Sequence, residues 1–182
     1  TLAQVREAMK HDFADDPKLR ALLQAAPKFG NDHALPDRYA NRVAHIYHDA
    51  LARYRTTRGG PYISGFYSST CHVGFGSRTG ALPSGRKASE PFAASLGCAN
   101  GKDRLGPTAL LNSVTKVDSA LAPNGYAVNL RFDDASLKGG KALDTMTARA
   151  RGFFSQGGME MQLNGLDPAL LEDARAHPGK YP

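Results

Sequence analysis

The chain has 182 residues, 41% hydrophobic and 22% charged, the make-up of an ordinary globular protein long enough to bury one sizeable core. No apolar run approaches the roughly 20 residues of a membrane span, no signal pattern opens the chain, and Cys71 and Cys98 make neither a disulfide framework nor a metal knuckle, so a reducing cytoplasm is expected. The net charge of +6 is scattered, with Arg53, Arg55 and Arg58 its one loose cluster at an expected helix end, so neither nucleic acid nor a membrane is expected as a partner.

Thr1 caps a predicted helix over Leu2–His11, whose Leu2, Val5 and Met9, with Phe13 just beyond, are spaced for one face. Asp15-Asp16-Pro17 starts a second helix that runs through Leu19, Leu22 and Leu23 to Ala26 and stops at Pro27. Lys28–Asp32 reads as a turn. A third and longest helix begins at Pro36-Asp37, with Tyr39, Val43, Ile46, Tyr47, Leu51 and Tyr54 at helical spacing. His33, His45 and His48 lack the cysteines or paired carboxylates of a metal site, so a helix face is expected there.

Gly59-Gly60-Pro61 breaks the chain. Tyr62–Val73 then has strand composition, aromatic and β-branched, and ends where glycines begin. Its alternation would turn either Phe66, Ser68, Thr70 and His72, or Tyr67, Ser69, Cys71 and Val73, to one side. The following stretch to Pro91 is rich in glycine and proline around a basic Gly85-Arg86-Lys87 step. Gly106-Pro107 opens another helix. An ordered glycine-rich crossing of this length implies that it shapes a site.

Ala120–Gly125 reads as a loop, Tyr126–Phe132 as a strand, Leu137–Gly140 as a turn, and Ala142–Phe154 as a helix ended by Gly157-Gly158. Met159–Asn164 is a further strand, and Asp167-Pro168 caps a last helix that ends at His177-Pro178-Gly179. Strands separated by helices of this length imply an α/β arrangement with crossover connections. Three strands with uncovered edges, among so much loop, point to part of a larger barrel or sheet rather than a self-sufficient domain. The stop after Lys180-Tyr-Pro182 fits the same expectation of a piece or a split protein.

Several segments taken together resemble the glycyl radical enzyme family, the superfamily of pyruvate formate-lyase. They are Pro27-Lys-Phe-Gly-Asn-Asp32, Ala81-Leu-Pro-Ser-Gly-Arg-Lys-Ala-Ser-Glu-Pro91, Gly101-Lys-Asp-Arg-Leu-Gly-Pro-Thr-Ala109, Leu111–Asp118, Gly157-Gly158 with Gln162-Leu-Asn164, and His177-Pro-Gly-Lys-Tyr181. The resemblance covers nearly the whole chain. It implies an α/β fold, part of a ten-stranded barrel of helices, inner strands and long glycine-rich loops. Residues 1–182 would be the C-terminal portion of that barrel, with the glycyl radical segment following Pro182.

The family's chemistry uses a glycine that stores a radical and a cysteine whose thiyl radical attacks substrate. The resemblance puts both outside this chain, and Cys71 and Cys98 are expected to pack rather than react. What the chain would supply is a wall of the site. Tyr67, Ser69, Cys71 and Val73 correspond best to substrate neighbours, while Arg86, Lys87, Pro107 and Thr108 would support the loop that carries the glycine. No metal or bound cofactor is implied; a separate activating enzyme using S-adenosylmethionine and an iron–sulfur cluster would install the radical. The remaining chain, a small-molecule substrate and a second copy in a homodimer are the other implied partners.

Gly106-Pro-Thr-Ala-Leu-Leu-Asn-Ser-Val114 is more similar to the eliminase, decarboxylase and fumarate-adding branch than to the acyltransferases. The implied activity is therefore that of a radical lyase: a decarboxylase, a dehydratase or a fumarate-adding enzyme. A pyruvate formate-lyase-like acyltransferase, or a non-catalytic piece needing a partner chain, are the alternatives.

Overall fold

The structure, a computed structural model, describes residues 1–132, 141–165 and 167–181. Helix α1 (Leu2–Lys10) opens with a capping box, in which Thr1 Oγ1 accepts from Gln4 N while the Gln4 side chain reaches back to residue 1. Helix α2 (Pro17–Ala25) is started by Asp16, whose carboxylate accepts from Leu19 N at 2.9 Å, with Pro17 at the first helical position. Helix α3 (Ala34–Ala52) starts earlier than its proline suggests, because the His33 ring accepts from Leu35 N and caps the first turn.

Helix α4 (Cys71–Ser77), helix α5 (Gly106–Thr115), strand β1 (Ala127–Phe132), helix α6 (Lys141–Ser155), strand β2 (Glu160–Gly165) and helix α7 (Pro168–Ala176) complete the order. The turn read over Leu137–Gly140 falls outside the described residues. β1 and β2 pair in parallel, Ala127 beside Glu160 through Phe132 beside Gly165, and the chain between them carries α6. This is the crossover that the strand–helix–strand order implies.

The expected strand at Tyr62–Val73 is not formed. Phe66 makes a single parallel bridge to Tyr126, beside the start of β1, and donates its N–H to Gly125 O. Beyond it Ser69 takes a left-handed backbone (φ 45°), which ends any extended run, and α4 follows at once. The period-two alternation proposed for Tyr67, Ser69, Cys71 and Val73 is thereby corrected: the last two lie on a helix. Among the described residues the sheet has two strands.

The main core joins Leu110, Leu111 and Val114 of α5 to Val128, Leu130 and Phe132 of β1, with Tyr126 and Phe153 closing it. β1 buries one whole face, Val128, Leu130 and Phe132, while the other runs from buried Ala127 through half-buried Asn129 to exposed Arg131. The apolar stripe of α3 behaves otherwise. Ala44 is buried against Val117 and Leu121, but Tyr39, Val43, Ile46 and Tyr47 are exposed.

An ion-pair node pins the start of α3 to the end of α5. Lys116 Nζ donates to Asp37 Oδ2 at 2.9 Å and to Asp32, which also accepts from Asn112. Asp37 is almost wholly buried, and its second oxygen has no partner among the described residues. Hydrogen bonds from Lys116 and Asn112 hold the Asp32 carboxyl below the usual carboxylate range. Lys116→Met would strand a buried carboxylate, so a loss of about 2 kcal/mol is expected, between the exposed and buried cases because Lys116 itself is half exposed. The depressed Asp32 pKa adds stability above roughly pH 4 that is lost as pH falls through the folded value. The gap between wild type and variant in denaturant unfolding is expected to narrow in acid.

Candidate functional site

The segment Tyr62–Thr70 is shaped by side chains. Ser64 is buried and donates to Leu121 O, while its oxygen lies 2.9 Å from His48 Nδ1, so α3 and the turn after α5 grip the segment between them. Ser68 and Ser95 bond reciprocally: Ser95 N donates to Ser68 Oγ at 2.8 Å, and Ser68 N to Ser95 Oγ at 3.3 Å. Two loops far apart in sequence are thereby held side by side.

Between them and α3 lies an open groove of about 700 Å³, lined by Tyr39, Val43 and Tyr47 on one side and Phe66, Tyr67 and Leu96 on the other. Its walls are mostly apolar with a few polar groups, including the hydroxyls of Ser68 and Ser95, the general character of a small-molecule site. Tyr67 is seated over Gly125, whose backbone is left-handed (φ 91°) and which a side chain would bring to within 2.4 Å of the phenol oxygen.

Of the four predicted substrate neighbours, only Tyr67 lines this groove. Ser69 sits in the turn, and Cys71 and Val73 lie exposed on α4. Ser68 and the tyrosines of α3 enter the site instead. The α3 stripe was visible as a helical pattern, but its partner across the groove was not.

Arg86 organises the glycine-rich loop. Its guanidinium donates to four carbonyls, those of Gly76 (2.7 Å), Gly80 (2.9 Å), Thr79 (3.4 Å) and Glu90. It also stacks 4.5 Å from the Phe92 ring centre. The loop is fastened from outside as well: Arg20 Nε and Gln24 of α2 donate to Gly85 O, and Asp12 accepts from Ala88 N. Gly76 has no room for a side chain, since a Cβ there would come within 2.5 Å of Glu90 O. Lys87, by contrast, is exposed, and its bond is the backbone N–H to the Glu90 carboxylate. Pro107 begins α5, and Thr108 accepts from Arg149 Nε at 3.2 Å, which ties α5 to α6.

Cys98 is packed against the main core. Burial, and then the charge of Asp103, push its thiol up to about 11, so it is a protonated thiol near neutral pH. Cys71 is exposed at the start of α4. His33, His45 and His48 do not meet: His33 caps α3 and His48 bonds Ser64. Among the described residues, no three metal-ligating side chains come together, and no helix is long and apolar enough to cross a membrane.

Residues 1–76 match the family model described as pyruvate formate lyase-like, and residues 92–182 match the model described as glycine radical. The chain belongs to the glycyl radical enzyme family. The two matches leave out residues 77–91, which hold most of the loop centred on Arg86. Over its whole length the fold agrees with the B12-independent glycerol dehydratase of Clostridium butyricum, at 38% identity and a TM-score of 0.94, covering 23% of that chain. A glycyl radical enzyme structure from Archaeoglobus fulgidus agrees over 97% of this chain, with a TM-score of 0.91 at 37% identity. The (2S)-3-sulfopropanediol dehydratase of Klebsiella oxytoca is 32% identical over 98% of this chain. The trans-4-hydroxy-L-proline dehydratase of Clostridioides difficile is 31% identical over 90%. The chain spans between 20% and 23% of the length of the curated glycyl radical relatives it matches. Its mixed α/β architecture is that of the corresponding part of the glycyl radical enzyme barrel.

Proposed function

We propose that this chain forms the C-terminal part of the catalytic barrel of a glycyl radical dehydratase and supplies one wall of its substrate pocket. The observation that carries this reading is the agreement of the entire chain with the glycerol dehydratase fold. The exposed apolar face of α3 fits an element that is covered by the rest of such a barrel. The substrate class is a small hydroxylated molecule, and the reaction takes hydrogen from one carbon, expels a neighbouring hydroxyl as water and returns the hydrogen.

The radical cysteine and glycine, which supply hydrogen abstraction and return, lie outside residues 1–182 in this proposal. Cys98 does not serve, since it packs against the main core and does not line the groove. Tyr67 lines the groove with its phenol oxygen close over Gly125; in this proposal that hydroxyl donates to a substrate oxygen, and the apolar residues of α3 form the facing wall. Ser69, Cys71 and Val73 flank it on the turn and α4. Arg86, Lys87, Pro107 and Thr108 support the loop carrying the glycine, with Arg86 acting through the shape it imposes on residues 76–92. A separate S-adenosylmethionine-dependent iron–sulfur enzyme installs the radical in an anaerobic cytoplasm, and the working protein is a homodimer.

The test is anaerobic activation of the full-length protein. A glycyl doublet in electron paramagnetic resonance, followed by conversion of a vicinal diol to an aldehyde and water, is the expected result. Formation of acetyl-CoA and formate from pyruvate and coenzyme A would assign the protein to the acyltransferases instead, and absence of the doublet would remove the radical reading.

A further inference from the structure

A second pocket, of about 240 Å³, lies between the end of α2, the start of α3 and the start of α5, away from the groove that Tyr67 lines. Lys28, His33, Lys102 and Arg104 line it, and among the described residues no carboxylate does. Asn31 builds its frame. Its amide nitrogen donates to Lys28 O (3.3 Å) and Lys102 O (2.6 Å), and its oxygen accepts from Leu105 N (3.1 Å).

The cations here are not neutralised. Lys28 donates to two carbonyls at the end of α2, those of Leu23 (2.6 Å) and Ala26 (2.8 Å). Lys102 and Arg104 make no side-chain hydrogen bond or ion pair among the described residues. The nearest acidic residues along the chain are engaged elsewhere: Asp32 is paired with Lys116 and Asn112, and Asp103 faces Cys98. Burial, and then the charges of Lys102 and Arg104, press the Lys28 ammonium below the usual lysine range. Positive charge is thus gathered against its own repulsion.

Two helix starts add to it. α3 begins directly after His33, and α5 directly after Leu105, which offers no side-chain cap. The positive ends of both macrodipoles therefore lie at the pocket rim. His33 Nδ1 accepts from Leu35 N, which leaves the ring proton on Nε2 and makes that nitrogen a donor.

We propose that this pocket is an oxyanion site for a phosphate-class dianion, held by Lys102, Arg104 and His33, with Lys28 adding charge at the pocket wall. A doubly charged tetrahedral anion matches the number of converging donors better than a single carboxylate. The volume suits one phosphate group, whether the free ion or the end of a small phosphomonoester.

Calorimetric titration of the full-length protein with inorganic phosphate, at constant ionic strength in chloride, tests this directly. One saturable site per chain is expected. Lys102→Gln and Arg104→Gln are each expected to weaken it about tenfold, and the pair to abolish it. Arg58→Gln, remote from the pocket, removes the same net charge and should change nothing. Arg104 is exposed, so its substitution leaves the fold intact. Titration with methyl phosphate separates the sources: equal affinity marks a monoester as ligand, and loss of binding marks the free ion. No saturable phosphate binding, or binding that survives the double variant, would overturn the proposal. No radical is needed for the measurement, so its outcome is independent of the dehydratase reading.

Discussion

Arg86→Ala is expected to open the Gly76–Phe92 loop while the core of α5, β1 and α6 stays folded. The guanidinium satisfies four backbone carbonyls at once and rests on the Phe92 ring. Truncation leaves Gly80 O and Glu90 O without a donor, whereas Gly76 O and Thr79 O keep the backbone N–H groups of Thr79 and Ser89; Gly76 stays pressed against Glu90 and Pro91. A buried acceptor left without its donor costs about 1–3 kcal/mol, and two are left so while the contact with the Phe92 ring is also lost, so a local penalty of about 3 kcal/mol is expected. Hydrogen exchange of residues 76–92 reads it, as a protection loss of roughly a hundredfold. Arg86→Lys is expected to recover little, because an ammonium cannot span carbonyls fixed by a planar fork. If exchange in this loop were unchanged in Arg86→Ala, the outside contacts from Arg20, Gln24 and Asp12 would be sufficient, and Arg86 would lose its positioning role. If the full-length protein is the dehydratase proposed above, the same variant should install the glycyl radical normally yet lose turnover, which separates a misplaced loop from a failed activation.

How far this arrangement could be read from the residues depends on the range of the interactions involved. Helix starts with a local code were legible: Thr1 with Gln4, Asp16 with Pro17, and Asp167 with Pro168 all cap where their spacing implies. β1 was legible because its alternation sets Val128, Leu130 and Phe132 on one buried face, with Asn129 and Arg131 on the other. The Tyr62–Val73 segment was not. Its aromatic and β-branched composition favours a strand, but Ser64 and Ser68 recruit Leu121, His48 and Ser95, from 16 to 57 residues away. Those bonds replace ladder bonds, and a left-handed Ser69 closes the segment. Period-two reasoning therefore separated Tyr67 from Ser68, although both line the same groove. The role of Arg86 was half legible. A basic residue in a glycine turn announces a loop organiser, but its four acceptors all come from its own loop, and Lys87 next to it takes no such part.

The second large effect concerns Gly125. If the full-length protein is the dehydratase proposed above, Gly125→Ala is expected to lower its kcat/KM about a hundredfold while leaving the global fold in place. Gly125 holds a left-handed backbone, and its Cα faces the Tyr67 ring so closely that a methyl group would meet the phenol oxygen at 2.4 Å and two ring carbons at 3.2 Å. The ring is the freer partner, because Gly125 O is tied to Phe66 N and Gly125 N donates to Ala122 O. Tyr67 must therefore move, by roughly an ångström, and if Tyr67 contacts substrate as proposed, a displacement of that size can cost about 10²-fold. The strained φ adds about 1–2 kcal/mol to the folded state, which thermal unfolding reads separately. Tyr67→Phe, which removes the oxygen but keeps the ring over Gly125, divides the two contributions. If the phenol donates to substrate, Tyr67→Phe alone should lose activity without losing stability, and adding Gly125→Ala should cost less than the product of the single effects. Independent, multiplicative losses would mean that Tyr67 only fills space against Gly125, and the groove would then have to recognise its substrate through other polar groups, the Ser68 hydroxyl first among them.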